Sequence, residues 1–357
     1  MKRRMMSGVA ALLMAVPALS LAEDTMWSFT LCGSPYTLPV TMEALMADGW
    51  ETEQAEDALS PDSYTVDEMF TREGMSFHGS VINLSINELK EAECFLGQVT
   101  VTREDAQTGV TLVARGGVTL GSTRDEVLEA WGDPDSIEQD GDHCTLSYGG
   151  EGYDKAEFTF DGDAVTAVSL RCFTVPAGYL DDARVVDTLP PEDQYEYHAP
   201  LGLGDVLQPG LVSLQGVAYQ LPVPFAVLAG AGWRCDQEDA VVPSRDTLWD
   251  AVLSAGRGRG LTAALTNASP VATVASNCLV TGLTAVDDSL TLPGGLSVGT
   301  SAEDVETALS GLPYDAEESD GMLVYRVDFG MGQDIALSVD TGTGEVCRVD
   351  VDATPAM

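Results

Sequence analysis

Short stretches of alternating apolar and polar residues predict antiparallel strands along the chain. In AEFTF, from Ala156, and VTAVSL, from Val165, apolar and polar residues largely alternate, a pattern typical of strands with one buried face. The intervening Asp161, Gly162 and Asp163 indicate a hairpin turn. Further strands are predicted in MSFHGSVINLS, CFLGQVTVT and CTLSYGG, which begin at Met75, Cys94 and Cys144.

A helical pattern lies between Thr123 and Gly132. Thr123 and Glu126 have capping-box spacing, so a hydroxyl and a carboxylate can bind free amide groups at the helix start. Val127 and Trp131, four residues apart, form a narrow apolar stripe. We therefore predict a short helix packed on a sheet. Gly121 lies in the turn before this helix, and Gly132 and Pro134 are expected to end it.

The same arrangement returns in the stretch that begins at Gly295. Here two pairs offer a helix cap, Ser301 with Asp304 and Thr300 with Glu303. The positions that repeat the turn, the apolar stripe and the stop are Gly299, Val305, Leu309, Gly311 and Pro313. We interpret the acidic residues in both stretches as helix caps and solvent-facing residues.

A longer comparison predicts an internal duplication. Thr30 to Trp50 matches Ser213 to Trp233, and Cys94 then falls opposite Cys278. We therefore predict an α+β fold with two homologous domains, each with short helices packed on an antiparallel sheet, built from helix-plus-meander units. The expected divisions are a signal peptide at 1–22, a first repeat domain at 23–173, an acidic Pro/Gly-rich linker at 174–210 and a second repeat domain at 211–357.

The first 22 residues have a basic start, an apolar run and small residues for cleavage, which predicts export and a soluble, extracytoplasmic protein without stable membrane insertion. The sequence has 17 Lys and Arg against 57 Asp and Glu, a net charge of −40. Such a charge repels phosphate backbones, so nucleic acid is not an expected partner.

Seven cysteines follow the predicted signal peptide, and none lies in a C-x-x-C motif. In an exported protein, some are expected to pair. The repeat positions suggest Cys32 with Cys94 and Cys235 with Cys278 as disulfides, which would leave Cys347 as a candidate odd thiol.

No recognised catalytic or cofactor motif occurs, and no cofactor is expected. His78, His143 and His198 are scattered without metal-ligand spacing. The loop Gly256 to Gly260, with Arg257 and Arg259, lacks the strand and helix of a dinucleotide site. Calcium is a weak alternative, since the Asp-rich turns do not have calcium-loop spacing. These turns are at Asp140, Asp142, Asp161, Asp163, Asp287 and Asp288.

Tryptophans recur after predicted helices. Trp50, Trp131 and Trp233 occupy matching places and are expected in the core, whereas Trp27 and Trp249 have no counterpart and are free to serve a surface.

One pattern recurs along the chain. It consists of a glycine followed by a hydroxyl residue, then a helical valine, a Gly-x-Pro motif and a pair of strands. Its residues are Gly121, Ser122, Val127, Gly132, Pro134, Phe160, Gly162, Val165 and Val168, and in the second copy Gly299, Thr300, Val305, Gly311 and Pro313. The pattern resembles the BamE/SmpA outer-membrane assembly lipoproteins and the related beta-lactamase inhibitor protein family, in the back half of each repeat only. The resemblance implies helices on an antiparallel sheet and a role in protein–protein contact.

The leading functional hypothesis is a secreted or cell-envelope-associated, non-enzymatic module whose partner is another protein. One alternative is an extracellular protein that binds a small ligand or a cation. A less favoured alternative is a hydrolase that uses His143 or His198.

Overall fold

The structure is a computed structural model that describes residues 25–149, 152–176, 179, 186–187, 196–256 and 260–354. Over these residues the fold is mixed and rich in sheet, with short helices and mostly antiparallel strands. The predicted signal peptide at 1–22 lies outside the described residues, as do Arg257 and Arg259 of the Gly256 to Gly260 loop.

Thirteen strands lie among the described residues before residue 174. They are β1 (Ser28–Leu31), β2 (Ser34–Thr37), β3 (Val40–Thr41), β4 (Ala58–Leu59), β5 (Glu68–Arg72), β6 (Met75–Ile82), β7 (Leu89–Lys90), β8 (Phe95–Thr102), β9 (Leu112–Ala114), β10 (Ser136–Asp140), β11 (His143–Tyr148), β12 (Lys155–Asp161) and β13 (Ala164–Arg171). Eight of them form the first large sheet, in the order β10-β11-β12-β13-β8-β6-β5 with β3 beside β8.

A further fifteen described strands follow. They are β14 (Val186–Asp187), β15 (Leu211–Leu214), β16 (Val217–Gln220), β17 (Val223–Pro224), β18 (Arg234–Cys235), β19 (Val241–Val242), β20 (Thr247–Ser254), β21 (Leu261–Thr266), β22 (Ala272–Val274), β23 (Leu279–Ala285), β24 (Leu290–Thr291), β25 (Asp315–Ser319), β26 (Met322–Gly330), β27 (Gln333–Asp340) and β28 (Glu345–Ala353). The second large sheet has the order β18-β20-β21-β23-β28-β27-β26-β25, with β17 beside β23.

The two large sheets have the same strand order over most of their width. In the second sheet β25 to β28 take the places of β10 to β13, and β23, β21 and β20 take those of β8, β6 and β5. Each large sheet is accompanied by a three-stranded sheet, β2-β1-β9 in one case and β16-β15-β24 in the other.

Buried apolar side chains form two main cores. The first core draws on residues from Phe29 to Cys172, and the second on residues from Leu207 to Ala353. Trp50 and Trp233 are buried in these cores, as expected, and Trp131 is partly buried. The Trp131 indole N–H donates to the carbonyl of Arg115 at 3.1 Å, so the polar group of this ring has a hydrogen-bond partner.

The α-helices of the described residues are short, of four to eight residues. They are Met42–Ala47, Arg103–Ala106, Arg124–Trp131, Phe225–Gly230 and Ala302–Leu309. The helical pattern between Thr123 and Gly132 predicts a short helix, and the helix found there, Arg124–Trp131, has eight residues.

The capping box at Thr123 is present. The Thr123 hydroxyl accepts from the Glu126 amide at 3.3 Å, and the Glu126 carboxylate accepts from the Thr123 amide at 2.8 Å. Val127 is buried, and Gly132 ends the helix with φ 82°, a left-handed region that favours glycine.

Of the two caps offered by the second copy, the chain uses Ser301 with Asp304. The Ser301 hydroxyl accepts from the Asp304 amide at 3.2 Å. The Thr300 hydroxyl instead accepts from the Ser297 amide at 3.0 Å, so Thr300 belongs to the preceding turn. Val305 and Leu309 are both buried, and Ser310 follows the last helical residue before Gly311.

Described parts of the predicted linker pack on the second core. Leu207 is buried in it, and the Tyr197 hydroxyl accepts from the Gln220 amide at 3.3 Å. Val186 and Asp187 pair in parallel with β22. The linker composition does not indicate these contacts, because they join residues far apart in the sequence.

The described residues contain no helix that is both long and apolar enough to span a membrane.

Candidate functional site

Each large sheet has one face on a core and one face toward solvent. In β12 and β13, buried Phe158, Phe160 and Val168 alternate with half-exposed residues such as Thr159 and Ser169. This is the usual arrangement of an antiparallel sheet with one solvated face. The solvent-facing residues are therefore the part of each sheet that is available to a partner.

A groove of about 200 Å³ crosses the solvent-facing side of the second large sheet. Its floor includes a row in which Asp352 lies between Asp334 and Gly282, with Ala264 beyond Gly282. Because Gly282 has no side chain and Ala264 has only a methyl group, this part of the row forms a depression. A Cβ added at Gly282 would lie 3.2 Å from the Ala264 Cβ, so glycine keeps this depression open.

Trp249 lines one side of this second-sheet groove. Its side chain is 60% exposed. The register between β20 and β21 shifts between Leu248 and Ala251, and Asp250 has φ 60°. Such an irregularity bends a strand and redirects its side chains. The bulge therefore accounts for a large aromatic side chain that points to solvent at a groove.

Carboxylates outnumber cations around the groove. The Thr284 hydroxyl donates to Asp350 at 2.6 Å, and the Arg348 guanidinium binds the same carboxylate at 2.7 Å and 2.8 Å. Asp350 is thus already paired. Among the described residues, no donor is hydrogen-bonded to the Asp334 carboxylate, although Arg326 lies close enough to affect it electrostatically.

The surroundings of Asp334 raise the pKa of its carboxyl. Burial raises the pKa of this carboxyl above its ordinary value, and the charges of Asp352, Asp328 and Asp350 raise it further, while Arg326 lowers it. Nearby negative charges and partial desolvation both destabilise an ionised carboxylate. A cation placed in the groove would relieve this repulsion.

A second groove, of about 230 Å³, lies at the corresponding place on the first large sheet. Val66 and Asp67 line it where Trp249 and Asp250 line the other. Asp67 also has a positive φ of 56°, and Val66 is 78% exposed. The two sheets thus carry grooves in equivalent positions, with valine in one and tryptophan in the other.

The chemistry of this first-sheet groove is more nearly neutral. The His78 Nδ1 lies 3.1 Å from Asp67 Oδ1, and its Nε2 lies 3.9 Å from the buried Asp105. Gln98 lies between Arg171 and Ser80 in the sheet register. Arginine and glutamine therefore stand where the second sheet has Asp352 and Gly282.

Two glutamates are buried beneath the rim of the first-sheet groove. Glu68 and Glu91 are each 4% exposed. The hydroxyls of Thr52 and Thr65 donate to the two oxygens of Glu68, the latter at 2.9 Å. Burial, followed by the neighbouring Glu68 and then by the charge of Asp57, raises the pKa of Glu91 to about 8.

All seven cysteines are free thiols in the structure. Cys235 and Cys278 are both buried, and burial together with the nearby Cys235 raises the pKa of Cys278 to about 12. Cys32 contacts Met75 through sulfur at 3.8 Å, whereas the Cys94 thiol donates to the Lys90 carbonyl at 3.3 Å. The pairings suggested from the sequence stay predictions.

The histidines named as hydrolase candidates lie apart from both grooves. His143 is an exposed residue at the start of β11, and the imidazole of His198 is 81% exposed, with Glu196 3.8 Å away. Within the described residues, no group of three or more His, Cys, Asp or Glu side chains is arranged to hold a metal ion. Neither observation adds support for the hydrolase or the calcium hypothesis.

Trp249 has no counterpart in the repeat and is therefore expected at a surface, but no local pattern points to the acids beside it. Asp350 and Asp352 alternate with valines in VDVDA, a spacing that places them on one face of a strand. Asp334 belongs to the neighbouring strand, and only the register brings it beside Asp352.

No family model matches the chain, and no curated protein or solved structure matches it.

Proposed function

We propose that this chain is an extracytoplasmic, non-enzymatic protein-binding module that docks a basic segment of another protein on the solvent-facing side of its second large sheet. Export rests on the signal-peptide pattern at residues 1–22. The observation that carries the binding proposal is the second-sheet groove, where exposed Trp249 stands beside a row of aspartates.

The groove suits an arginine or lysine side chain. The face of an indole attracts a cation, and Trp249 offers an exposed ring at the rim. Asp334 and Asp352 offer carboxylates that form charge-assisted hydrogen bonds with a guanidinium. The shallow floor at Gly282 and Ala264 leaves space for the apolar stem of such a side chain.

The charge of the whole chain favours the same occupant. A net charge of −40 attracts a basic protein over long range and repels acidic ones. At the groove, carboxylates of Asp250, Asp334 and Asp352 outnumber the nearby guanidiniums that are not already bound, since Arg348 is committed to Asp350. The carboxylates at the groove and the net negative charge of the chain therefore both favour a cationic partner.

We further propose that the chain arose by tandem duplication into two homologous domains. The shared strand order of the two large sheets supports this, and so do the grooves at corresponding positions. In this account the first-sheet groove kept Val66 and Arg171, while the second acquired Trp249 and Asp352. Divergence at the grooves would give the two domains different binding roles.

A titration with a tetra-arginine peptide tests the proposed docking site. At an ionic strength of about 0.15 M, charges more than ~8 Å apart are largely screened. We expect Trp249→Ala to weaken binding by about fivefold to thirtyfold, because a cation–π contact contributes ~1 kcal/mol at an exposed site and ~2 kcal/mol once the partner desolvates it. Asp334→Asn should weaken it severalfold. Isothermal titration calorimetry measures both changes.

Glu317→Gln is the matched control for charge. Glu317 lies on β25, where every residue is exposed, and its substitution also removes one negative charge. It should leave the affinity nearly unchanged. Equal losses from Glu317→Gln and Asp334→Asn would show attraction by net charge alone and would defeat the proposal. Free arginine that binds as tightly as the peptide would favour a small-ligand function instead.

A further inference from the structure

The two buried glutamates have different hydrogen-bond environments. Both carboxylate oxygens of Glu68 accept a hydroxyl proton, Oε1 from Thr52 and Oε2 from Thr65. Glu91 Oε2 is buried with no hydrogen-bond partner in the described residues. An unpartnered buried oxygen is costly. A proton on Glu91 that is donated to Glu68 would satisfy both groups.

The charges that face Glu91 are all negative. Glu68 acts on it from β5, and Asp57 acts from the loop before β4. Lys90 points instead to Glu56 at the surface, at 2.5 Å. The Cys94 thiol also faces this region, and burial followed by the charges of Glu91 and Glu93 raises its pKa to about 12, so it stays neutral. An ionised Glu91 would therefore have no compensating cation.

Thr65 links this pair to the first-sheet groove. Its hydroxyl donates to Glu68 and accepts from the Val81 amide at 2.8 Å, while its own amide donates to the Val81 carbonyl at 2.9 Å. Val66 and Asp67 follow directly and line the groove. A change in the charge of Glu68 and Glu91 would therefore affect the segment from Thr65 to Asp67 before it affects the rest of the groove.

We propose that Glu68 and Glu91 share one proton, and that rising pH, which favours release of this proton, loosens the segment from Thr65 to Asp67 at the rim of the first-sheet groove. The pair then acts as a pH-sensitive switch in the first sheet only. Alanines occupy the corresponding places in the second, Ala251 on β20 and Ala275 at the start of the short turn before Cys278.

The direction of the pH effect follows from proton binding. The raised pKa means that the folded chain keeps a proton that the unfolded or locally opened chain releases near the ordinary value of 4.5. Opening therefore becomes more favourable as pH rises from 4.5 toward 8. One released proton changes the opening equilibrium by about tenfold for each pH unit.

Hydrogen exchange of the Thr65 and Val81 amides in the full chain tests the switch. Glu91→Gln mimics the protonated carboxyl and cannot ionise. We expect protection of these two amides to fall with pH in the wild type by about tenfold per unit relative to Glu91→Gln. Glu93→Gln, an exposed change in the same turn, should behave like the wild type.

Glu68→Gln provides a second variant that keeps Glu91 but removes its nearest charge. It should shift the pH dependence to lower pH, because less repulsion opposes ionisation of Glu91. Parallel pH profiles for wild type and Glu91→Gln would overturn the proposal. So would a Glu93→Gln variant that abolishes the pH dependence as fully as Glu91→Gln does.

Discussion

At the scale of single residues, burial decides what an acid does in this chain. Glu126 is exposed and caps a helix by accepting from the Thr123 amide. Asp334 is half-buried among other acids, and its pKa is raised. Glu91 is almost fully buried, and burial followed by the neighbouring Glu68 raises its pKa to about 8. The residue type is similar, but desolvation and neighbouring charge give three different roles.

The Thr123 cap gives a direct stability prediction. Thr123→Ala should lower the free energy of unfolding by about 1 kcal/mol, because the Glu126 amide loses its hydroxyl acceptor. Urea denaturation measures the change. Glu129→Gln, an exposed substitution on the same helix, should stay within about 0.5 kcal/mol. An unchanged midpoint for Thr123→Ala would show that the cap contributes nothing.

Local sequence signals were enough for this cap but not for the grooves. A capping box depends on residues three apart, so Thr123 and Glu126 could be recognised directly. The second-sheet groove joins Trp249, Gly282 and Asp334, which are brought together by strand register. Register is set by the packing of the whole sheet, so the sequence pattern does not reveal it.

At the scale of elements, the sequence pattern misses two strands at the grooves, β5 and β20. In β5 the buried Glu68 stands at an inward position, which hides the apolar alternation. In β20 the bulge around Trp249 and Asp250 interrupts the alternation of buried and exposed residues. β12 and β13 are predicted correctly from alternation, although their register shifts between Thr159 and Phe160.

The helix Ala302–Leu309 is held mainly by its apolar stripe. Leu309 is fully buried in the second core, so Leu309→Ala should lower the free energy of unfolding by about 2–5 kcal/mol. Val286→Ala, at a side chain that is 54% exposed, should cost much less. Thermal denaturation compares the two variants. Equal small losses would mean that the helix does not pack as described.

At the scale of the whole molecule, a loop at Ile86 to Glu88 joins the two main parts. The Asn87 side-chain oxygen accepts from the Ala272 amide at 2.7 Å. The Ile86 carbonyl accepts from the Ser244 amide at 2.9 Å, and Arg245 lies 3.4 Å from Glu88. These contacts join the Ile86 to Glu88 loop of the first part to residues of the second.

Asn87→Ala tests that connection. The substitution removes the acceptor for the buried Ala272 amide, and an unpaired buried amide costs about 1–3 kcal/mol. We expect calorimetric unfolding to broaden or to split into two transitions, because the two cores lose a shared contact. Ser276→Ala, at a half-buried residue beyond β22, serves as the control. A single unshifted transition in Asn87→Ala would contradict this role.

The central claim is that a basic partner docks at the second-sheet groove. The most direct measurement is a map of backbone and indole NMR chemical-shift changes as tetra-arginine peptide is added to the full chain. The account predicts the largest changes at the Trp249 indole, Asp334 and Asp352, with smaller ones in the first-sheet groove. Changes spread evenly over exposed acids such as those of β10 and β25, with the Trp249 indole unmoved, would contradict it.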